Sequence, residues 1–375
     1  MGAFEQANKL TIKMKLLKLG IITSTLLCGT LAFASTPEFS AKGKSTQKIR
    51  FNGRIQTQFE SLKTDNETST DPNTVNEFLV RRAYFGVKGT IQNGVAGELV
   101  TNFGSGTGEL DKAIITVVPM DETKLSFGFD KIPVGYEETT SSSKIATVER
   151  SIVTRYFTEQ YDLGARMTGI HFSGDFSGLY YKASITNPTQ GETEKNVLGT
   201  ENEMALSGRI GFKGAAEGFD YNVGVYGAHF GDTTKAATDS ALVYGAFADL
   251  KFGFFSVLGE AITGDFNNTA AADTSPFGFQ IMPRFKLNDA FDIVLRYADM
   301  DGDGTKIDIS DTFRRANDGA AKTYDEARSY YIGGNWYIDG DNLKLTFGYE
   351  FADYEANGGE DADVDGLRAR LQILF

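Results

Sequence analysis

Cysteine, histidine, tryptophan and proline are nearly missing from this chain of 375 residues, which holds one Cys, two His, one Trp and seven Pro. Zinc, haem and thiol chemistry therefore have little to hold them. Positive charge is also in deficit. Thirty-seven bases stand against 50 acids, a formal charge of −13, which excludes nucleic acid as the main partner because phosphate binding needs an electropositive face. The apolar run from Leu19 to Phe33 is too short for a membrane-spanning helix. What the chain has in quantity is glycine (42), Phe (29) and Tyr (16), a mixture suited to strands and tight turns. At 41% hydrophobic residues it is too apolar for global disorder.

Lys15 and Lys18 precede the apolar run, which ends in Ala32-Phe33-Ala34 before Ser35. A positive start, an apolar middle and an A-x-A end predict a secretory signal peptide over residues 1–34, with Met14 as an alternative start. Cys28 follows Leu27, which is not a small residue, so a lipid anchor is not expected. Cleavage removes the only cysteine. It also removes four lysines and one glutamate, taking the formal charge from −13 to −16. Residues 35–47 then form a short periplasmic segment ahead of a β-domain over 48–375.

The periodicity carries the fold. From Ile49, apolar or small residues (Ile49, Phe51, Gly53, Ile55) alternate with polar ones (Arg50, Asn52, Arg54, Gln56, Gln58, Glu60). About ten such residues cross a bilayer at a tilt. The pattern recurs in sixteen segments: 48–60, 78–91, 95–103, 110–118, 123–130, 160–172, 177–187, 201–213, 219–229, 240–250, 254–263, 277–286, 290–299, 329–338, 343–352 and 366–375. Their connections alternate between short turns, such as Gln92-Asn93-Gly94 and Ser173–Phe176, and long ones, such as 131–159 and 300–328. Long loops on one side and short turns on the other mark an outer-membrane barrel. The expected fold is all-β, a transmembrane antiparallel β-barrel of about 16 strands in outer-membrane lipid. Leu367, Ala369, Leu371, Ile373 and Phe375 give the last strand an apolar face ending on an aromatic.

Sixteen strands enclose an aqueous channel rather than a packed core. Sorting charges by strand face predicts a basic lumen. Sixteen bases, Arg50, Arg54, Arg82, Lys88, Lys124, Arg166, Lys182, Arg209, Lys213, Lys251, Arg284, Lys286, Arg296, Lys344, Arg368 and Arg370, oppose ten acids, Glu60, Glu98, Asp111, Asp130, Asp162, Glu203, Asp249, Glu260, Asp292 and Glu350. A one-sign lining concentrates counter-ions, so small anions are the expected solutes. The 131–159 loop, which carries Lys131, Ser141, Ser142, Lys144 and Arg150, is the expected element to fold inward and narrow the channel.

Within the second expected strand, Phe78-Leu79-Val80-Arg81-Arg82-Ala83-Tyr84-Phe85-Gly86-Val87-Lys88-Gly89 resembles the arginine-pair strand of the phosphate-selective porin O and P family. In the same order, Leu110-Asp111-Lys112-Ala113, the segment Phe127–Glu137, and Thr140-Ser141-Ser142 followed by Val148-Glu149-Arg150-Ser151 are similar to that family's later motifs. The resemblance implies a homotrimeric channel for phosphate-like anions. In it Arg81 and Arg82 match the arginine pair, Tyr84 the nearby tyrosine, Asp111 the acid that orients them, and Ser141 and Ser142 the loop hydroxyls. Glu137 and Glu138 stand where the family supplies a lysine, and Lys131 or Lys144 is expected to substitute. Neighbouring Arg81 and Arg82 cannot both face the lumen from a regular strand, so a bulge or strand end is expected there.

Asp299-Met300-Asp301-Gly302-Asp303-Gly304 opens like a calcium loop, but Ser310 stands at its twelfth position, so a solvated acidic loop is expected instead. His171 and His229 fall in the outward phase, and no catalytic constellation or cofactor site is expected. The expected activity is passive diffusion of small solutes, anion-preferring and of phosphate or polyphosphate type. The alternatives are a general nonselective diffusion channel and a structural or adhesive barrel.

Overall fold

The computed structural model describes residues 48–66, 72–92, 94–104, 106–164, 166–188, 203–231, 238–268, 272–316 and 323–375. The expected signal peptide and the 35–47 segment lie outside the described residues. Sixteen antiparallel strands close into one barrel. They are β1 Lys48–Asn66, β2 Asn73–Gln92, β3 Val95–Asn102, β4 Glu109–Met120, β5 Thr123–Lys131, β6 Arg166–Phe176, β7 Leu179–Thr186 and β8 Ala205–Ala216. The second half is β9 Phe219–Phe230, β10 Thr238–Phe252, β11 Phe255–Asn268, β12 Phe277–Lys286, β13 Phe291–Asp301, β14 Glu326–Asp339, β15 Leu343–Glu355 and β16 Ala362–Leu374. Each strand pairs with its sequence neighbours, and β1 pairs with β16, so no sheet edge remains for the ring as a whole.

Period-two alternation makes this an inside-out protein. Phe51, Phe78, Leu99, Ile115, Ile210, Ile332 and Leu371 are exposed on the outer wall. Their strand neighbours Gln56, Gln58, Glu60, Arg296, Arg368 and Arg370 are buried on the inner one. A bilayer rather than water suits that outer surface. Two aromatic belts flank it. Near the short turns, Phe219, Phe252, Phe255 and Phe285 stack in sequence, with centroids 4.7, 6.3 and 5.2 Å apart. Toward the long loops, Phe279, Tyr297, Tyr330 and Phe351 form a second run, edge-on at 5.7 Å, tilted at 5.1 Å and stacked at 6.5 Å. Ring edges of this kind sit at the membrane interfaces.

Strand boundaries differ from expectation in one informative place. The sixth and seventh strands meet at Ser177-Gly178, four residues later than the expected Ser173–Phe176 turn. Ser177 (φ 49°) and Gly178 (φ 92°) both adopt the left-handed backbone that a two-residue hairpin requires. Phe176 and Leu179 thereby remain on the outer wall. Residues 160–164 alternate as a strand would, yet they belong to the loop, where Tyr161 packs on Phe266 at 5.1 Å. His171 is also corrected: Ile170 and Phe172 take the outer wall, and the His171 ring bonds to the Ser184 hydroxyl (2.9 Å) and the Gly128 carbonyl (3.2 Å).

Two loops fold into the barrel. The 132–164 loop carries α1 (Tyr136–Thr139), α2 (Ile152–Arg155) and a π-helical turn at Tyr156–Gln160. Ile132, Val134, Ile152, Val153, Tyr156 and Phe157 are all buried there. From the end of β13, Asp301, Asp303 and Gly304 are exposed, as expected of a solvated acidic stretch, but the segment that follows turns inward. It carries α3 (Ile309–Thr312), and Ile307, Ile309, Phe313 and Tyr324 join the same apolar cluster. The apolar spacing of those residues outweighs the acidic composition of the segment.

Candidate functional site

A β-bulge places the first pair of functional side chains. Pairing between β1 and β2 runs to Gln56↔Arg82 and resumes at Thr57↔Val80, leaving Arg81 as the extra residue. The consecutive arginines can therefore both turn inward, as the sequence required. A second bulge lies between β3 and β4, where Val100↔Lys112 is followed by Thr101↔Leu110 and Asp111 is extra. Gly104 holds the first bulge closely: a Cβ there would stand 2.9 Å from the Arg81 carbonyl and from the Arg82 Cα. The Asn102 side chain accepts from the Ala83 and Gly104 N–H groups at 3.1 Å each, tying off the end of β3.

Between this wall and the inner loop runs a channel cavity of about 1550 Å³. Arg81, Arg82, Tyr84, Asp111, Lys131, Ser141, Ser142 and Arg150 all line it, as do Arg54 and Arg166. Lys144 does not. It is exposed on the inner loop away from the cavity, because the chain reverses between the buried Ser143 and Ile145. Sequence reasoning passed over Lys112, Arg314 and Arg315, which also line the cavity. Lys112 was hidden by the assumption of strict alternation through the second bulge, and the Arg314-Arg315 pair by reading its loop as solvated.

The lining is close to charge balance. Arg54, Arg81, Arg82, Lys112, Lys131, Arg150, Arg166, Lys182, Arg314 and Arg315 face Glu98, Glu109, Asp111, Asp130, Glu138, Glu159, Asp162 and Asp311. Most of the bases are held by an acid. Arg81 forks onto Glu149 (2.8 and 3.3 Å), and Arg166 binds Asp111 at 2.8 Å, so Asp111 orients Arg166 rather than the arginine pair. Lys112 contacts Asp130 (3.2 Å) and Glu98 (3.7 Å), Arg314 contacts Glu159 (3.4 Å), and Arg315 binds Glu60 and Glu77. Arg54, Arg82 and Lys182 have no carboxylate at ion-pair distance among the described residues. Arg82 donates to the Gln56 amide oxygen at 3.0 Å. Arg54 lies 4.1 Å above the Tyr84 ring and donates to the Ser141 hydroxyl at 3.3 Å.

The other expected lumen-lining arginines face inward, but most do not reach open channel, because the two loops fill the β8–β16 side. Arg296 donates to the Glu149 carbonyl (3.0 Å) and pairs with Glu350 (2.6 Å). Arg368 pairs with Glu350 (3.3 Å) and Arg370 with Glu149 (2.7 Å). Arg284 pairs with Asp292, and Arg209 donates to the Gly135 carbonyl at 2.8 Å. Arg209 also lines a smaller pocket of about 350 Å³ with Tyr136, Tyr180 and Lys182. Arg50 opens to water near the short-turn end, opposite Lys88. Wall side chains complete the docking: Lys344 and Gln372 donate to the Ser143 carbonyl, Gln56 to that of Ser142 and Asn335 to that of Ala146.

Glu138 and Glu149 are both ion-paired acids of the inner loop. Burial pushes the Glu138 carboxyl up, but Arg150 and Lys131 outweigh it and bring it down to about 2. Burial acts likewise on Glu149, and Arg81, Arg370 and Arg155 hold it well below the carboxylate range. Both are charged at any physiological pH. Among the described residues no cluster of His, Cys, Asp and Glu could hold a metal ion.

A lipid-facing barrel of sixteen strands, with an inner loop narrowing a charged cavity, defines an outer-membrane porin. Within that class the chain belongs to the phosphate-selective porin O and P family, whose model matches residues 49–242 and 232–375. It is similar to Porin O of Pseudomonas aeruginosa, with 22% identity across 87% of this chain and 88% of that protein. Its fold is like that of the anion-selective porin from Comamonas acidovorans (TM-score 0.64, 12% identity, covering 87% of this chain and all of that one). It is also like OmpT of Vibrio cholerae in its trimer form (TM-score 0.55, 12% identity, 87% of this chain and 99% of that one). The protein is a channel of the bacterial outer membrane.

Proposed function

We propose that this porin is an anion-preferring channel for passive diffusion of small solutes of the phosphate or polyphosphate type, acting as a homotrimer and not as an enzyme. The observation that carries the reading is that Arg54 and Arg82, two guanidinium groups without a carboxylate at ion-pair distance among the described residues, line the same cavity as Ser141 and Ser142, Arg54 donating to the Ser141 hydroxyl. A guanidinium edge binds oxyanions through paired N–H donors, and hydroxyls supply the remaining bonds. The phosphate-selective family and the anion-selective Comamonas porin support the anion preference, and the trimer form of the Vibrio protein supports the assembly. The eight acids on the same cavity favour one second reading, a general diffusion porin of weak selectivity.

Reversal potentials across a potassium chloride gradient test the choice. Chloride is expected to be the more permeant ion, and phosphate to reduce the chloride current. Arg82→Ala is expected to lower the anion preference, because it removes a fork donor and one unit of positive field from the path. A channel carrying mostly cations and indifferent to millimolar phosphate would leave the general porin as the surviving account.

A further inference from the structure

We infer that Glu138 is the specificity-determining residue of this channel: its carboxylate cancels the charge of Lys131 and Arg150 where the inner loop meets the path, so that oxyanions pass without being trapped. The inference rests on the anion-channel reading above and says how tightly that channel holds its solute.

The geometry is specific. Glu138 lines the channel cavity although only 6% exposed. One carboxylate oxygen lies 2.6 Å from the Lys131 amine and the other 3.2 Å from the Arg150 guanidinium. Both basic groups line the same cavity, so the carboxylate offsets positive charge that would otherwise face the path. Both basic side chains also have main-chain partners. The Arg150 guanidinium also donates to the carbonyls of Glu137, Glu138 and Thr140 at 3.2, 3.1 and 3.0 Å. The Lys131 amine also donates to the Glu138 carbonyl. Removing the side-chain charge alone therefore leaves both basic side chains with main-chain oxygens as partners. In a partly dehydrated path such a pair attracts multiply charged oxyanions far more strongly than chloride.

The neighbouring Glu137 shows by contrast why position matters. It is 2% exposed, stays off the cavity, and accepts from Ser151, Thr154 and Gln280. Its charge holds the loop, whereas that of Glu138 faces the solute.

The test is Glu138→Gln in the full chain, reconstituted in planar bilayers with inorganic phosphate as probe. The variant should shift the reversal potential toward greater anion preference and lower the half-blocking phosphate concentration by about tenfold, with chloride conductance kept within about twofold. The charge-compensated double variant Lys131→Gln/Glu138→Gln should return selectivity and block toward the wild type. Unchanged block and reversal potential in Glu138→Gln would overturn the inference. So would a large, unselective conductance that the double variant fails to reverse, since that would mean the carboxylate only holds the loop. The two readings fail separately. A cation-preferring wild type overturns the anion channel, whereas an unshifted Glu138→Gln overturns the role of Glu138 whichever ion the wild type prefers.

Discussion

Glu149 receives the side chains of Arg81, Arg155, Arg370 and Gln58 while only 3% exposed. Three guanidinium groups converging on one carboxylate are tolerable in a buried place only while that carboxylate is charged, and removing one member of a buried ion cluster costs about 3–5 kcal/mol. Glu149→Gln is therefore expected to undock the inner loop, which larger and noisier single-channel currents would reveal; currents of wild-type size would contradict it. Acid should act on the charge of the path through Glu138. Its carboxyl is held at about 2 against an ordinary 4.5, so it keeps its charge in the folded channel until the pH approaches that value. Anion preference should accordingly stay flat from neutral pH down to about 4 and rise only toward about 2. A transition centred near pH 6 would point to some other group.

At the scale of elements, the bulges and the closing strand do the positioning. Two extra residues, Arg81 and Asp111, break the alternation in neighbouring hairpins and let charges that are consecutive in sequence share the cavity wall. Gly104→Val should disturb the first bulge, because the backbone of Arg81 and Arg82 leaves no space for a side chain there; the readout is loss of anion preference with barrel assembly retained. Closure relies on a different contact. The Gly53 N–H donates to the Phe375 carbonyl at 2.7 Å and the Phe375 N–H returns a bond at 3.1 Å. A Cβ on Gly53 would stand 2.4 Å from the Phe375 ring. Deleting Phe375 removes this last rung and its exposed aromatic, so outer-membrane levels should fall; normal levels would refute that account.

For the molecule as a whole, the consequence is a barrel whose lumen the described loops fill on one side. The 132–164 loop and the α3 loop pack together against β8–β16, leaving the water path along β1–β7. Phe313, 2% exposed with the Arg368 guanidinium 4.4 Å above its ring, helps to fasten the second loop. Phe313→Ala should weaken that packing by about 3–5 kcal/mol, the usual cost of emptying a buried aromatic site. A wider channel is the expected result, measured as higher conductance and passage of larger uncharged solutes. Mass measurement in mild detergent should return three copies of the chain, and a monomer of native conductance would dismiss the trimer.

Alternation, loop lengths and the terminal aromatic were enough to read a sixteen-strand barrel from the sequence, because membrane strands bury one face in lipid and their period of two is written residue by residue. The arginine, serine and aspartate positions that line the cavity came instead from the resemblance of local motifs to the porin O and P family. Net lumen charge was not legible. The face count of sixteen bases to ten acids took no account of acids brought in by the loops, and Glu137, Glu149 and Glu159 neutralise bases that are remote in sequence. Lys112 entered the lining through a bulge, Arg314 through an inward loop, and Lys144 left it at a chain reversal. Each of those outcomes depends on contacts between distant segments, and such contacts leave no period in the sequence. The strand pattern by itself determined the wall, while tertiary packing decided which of its charges still face the water.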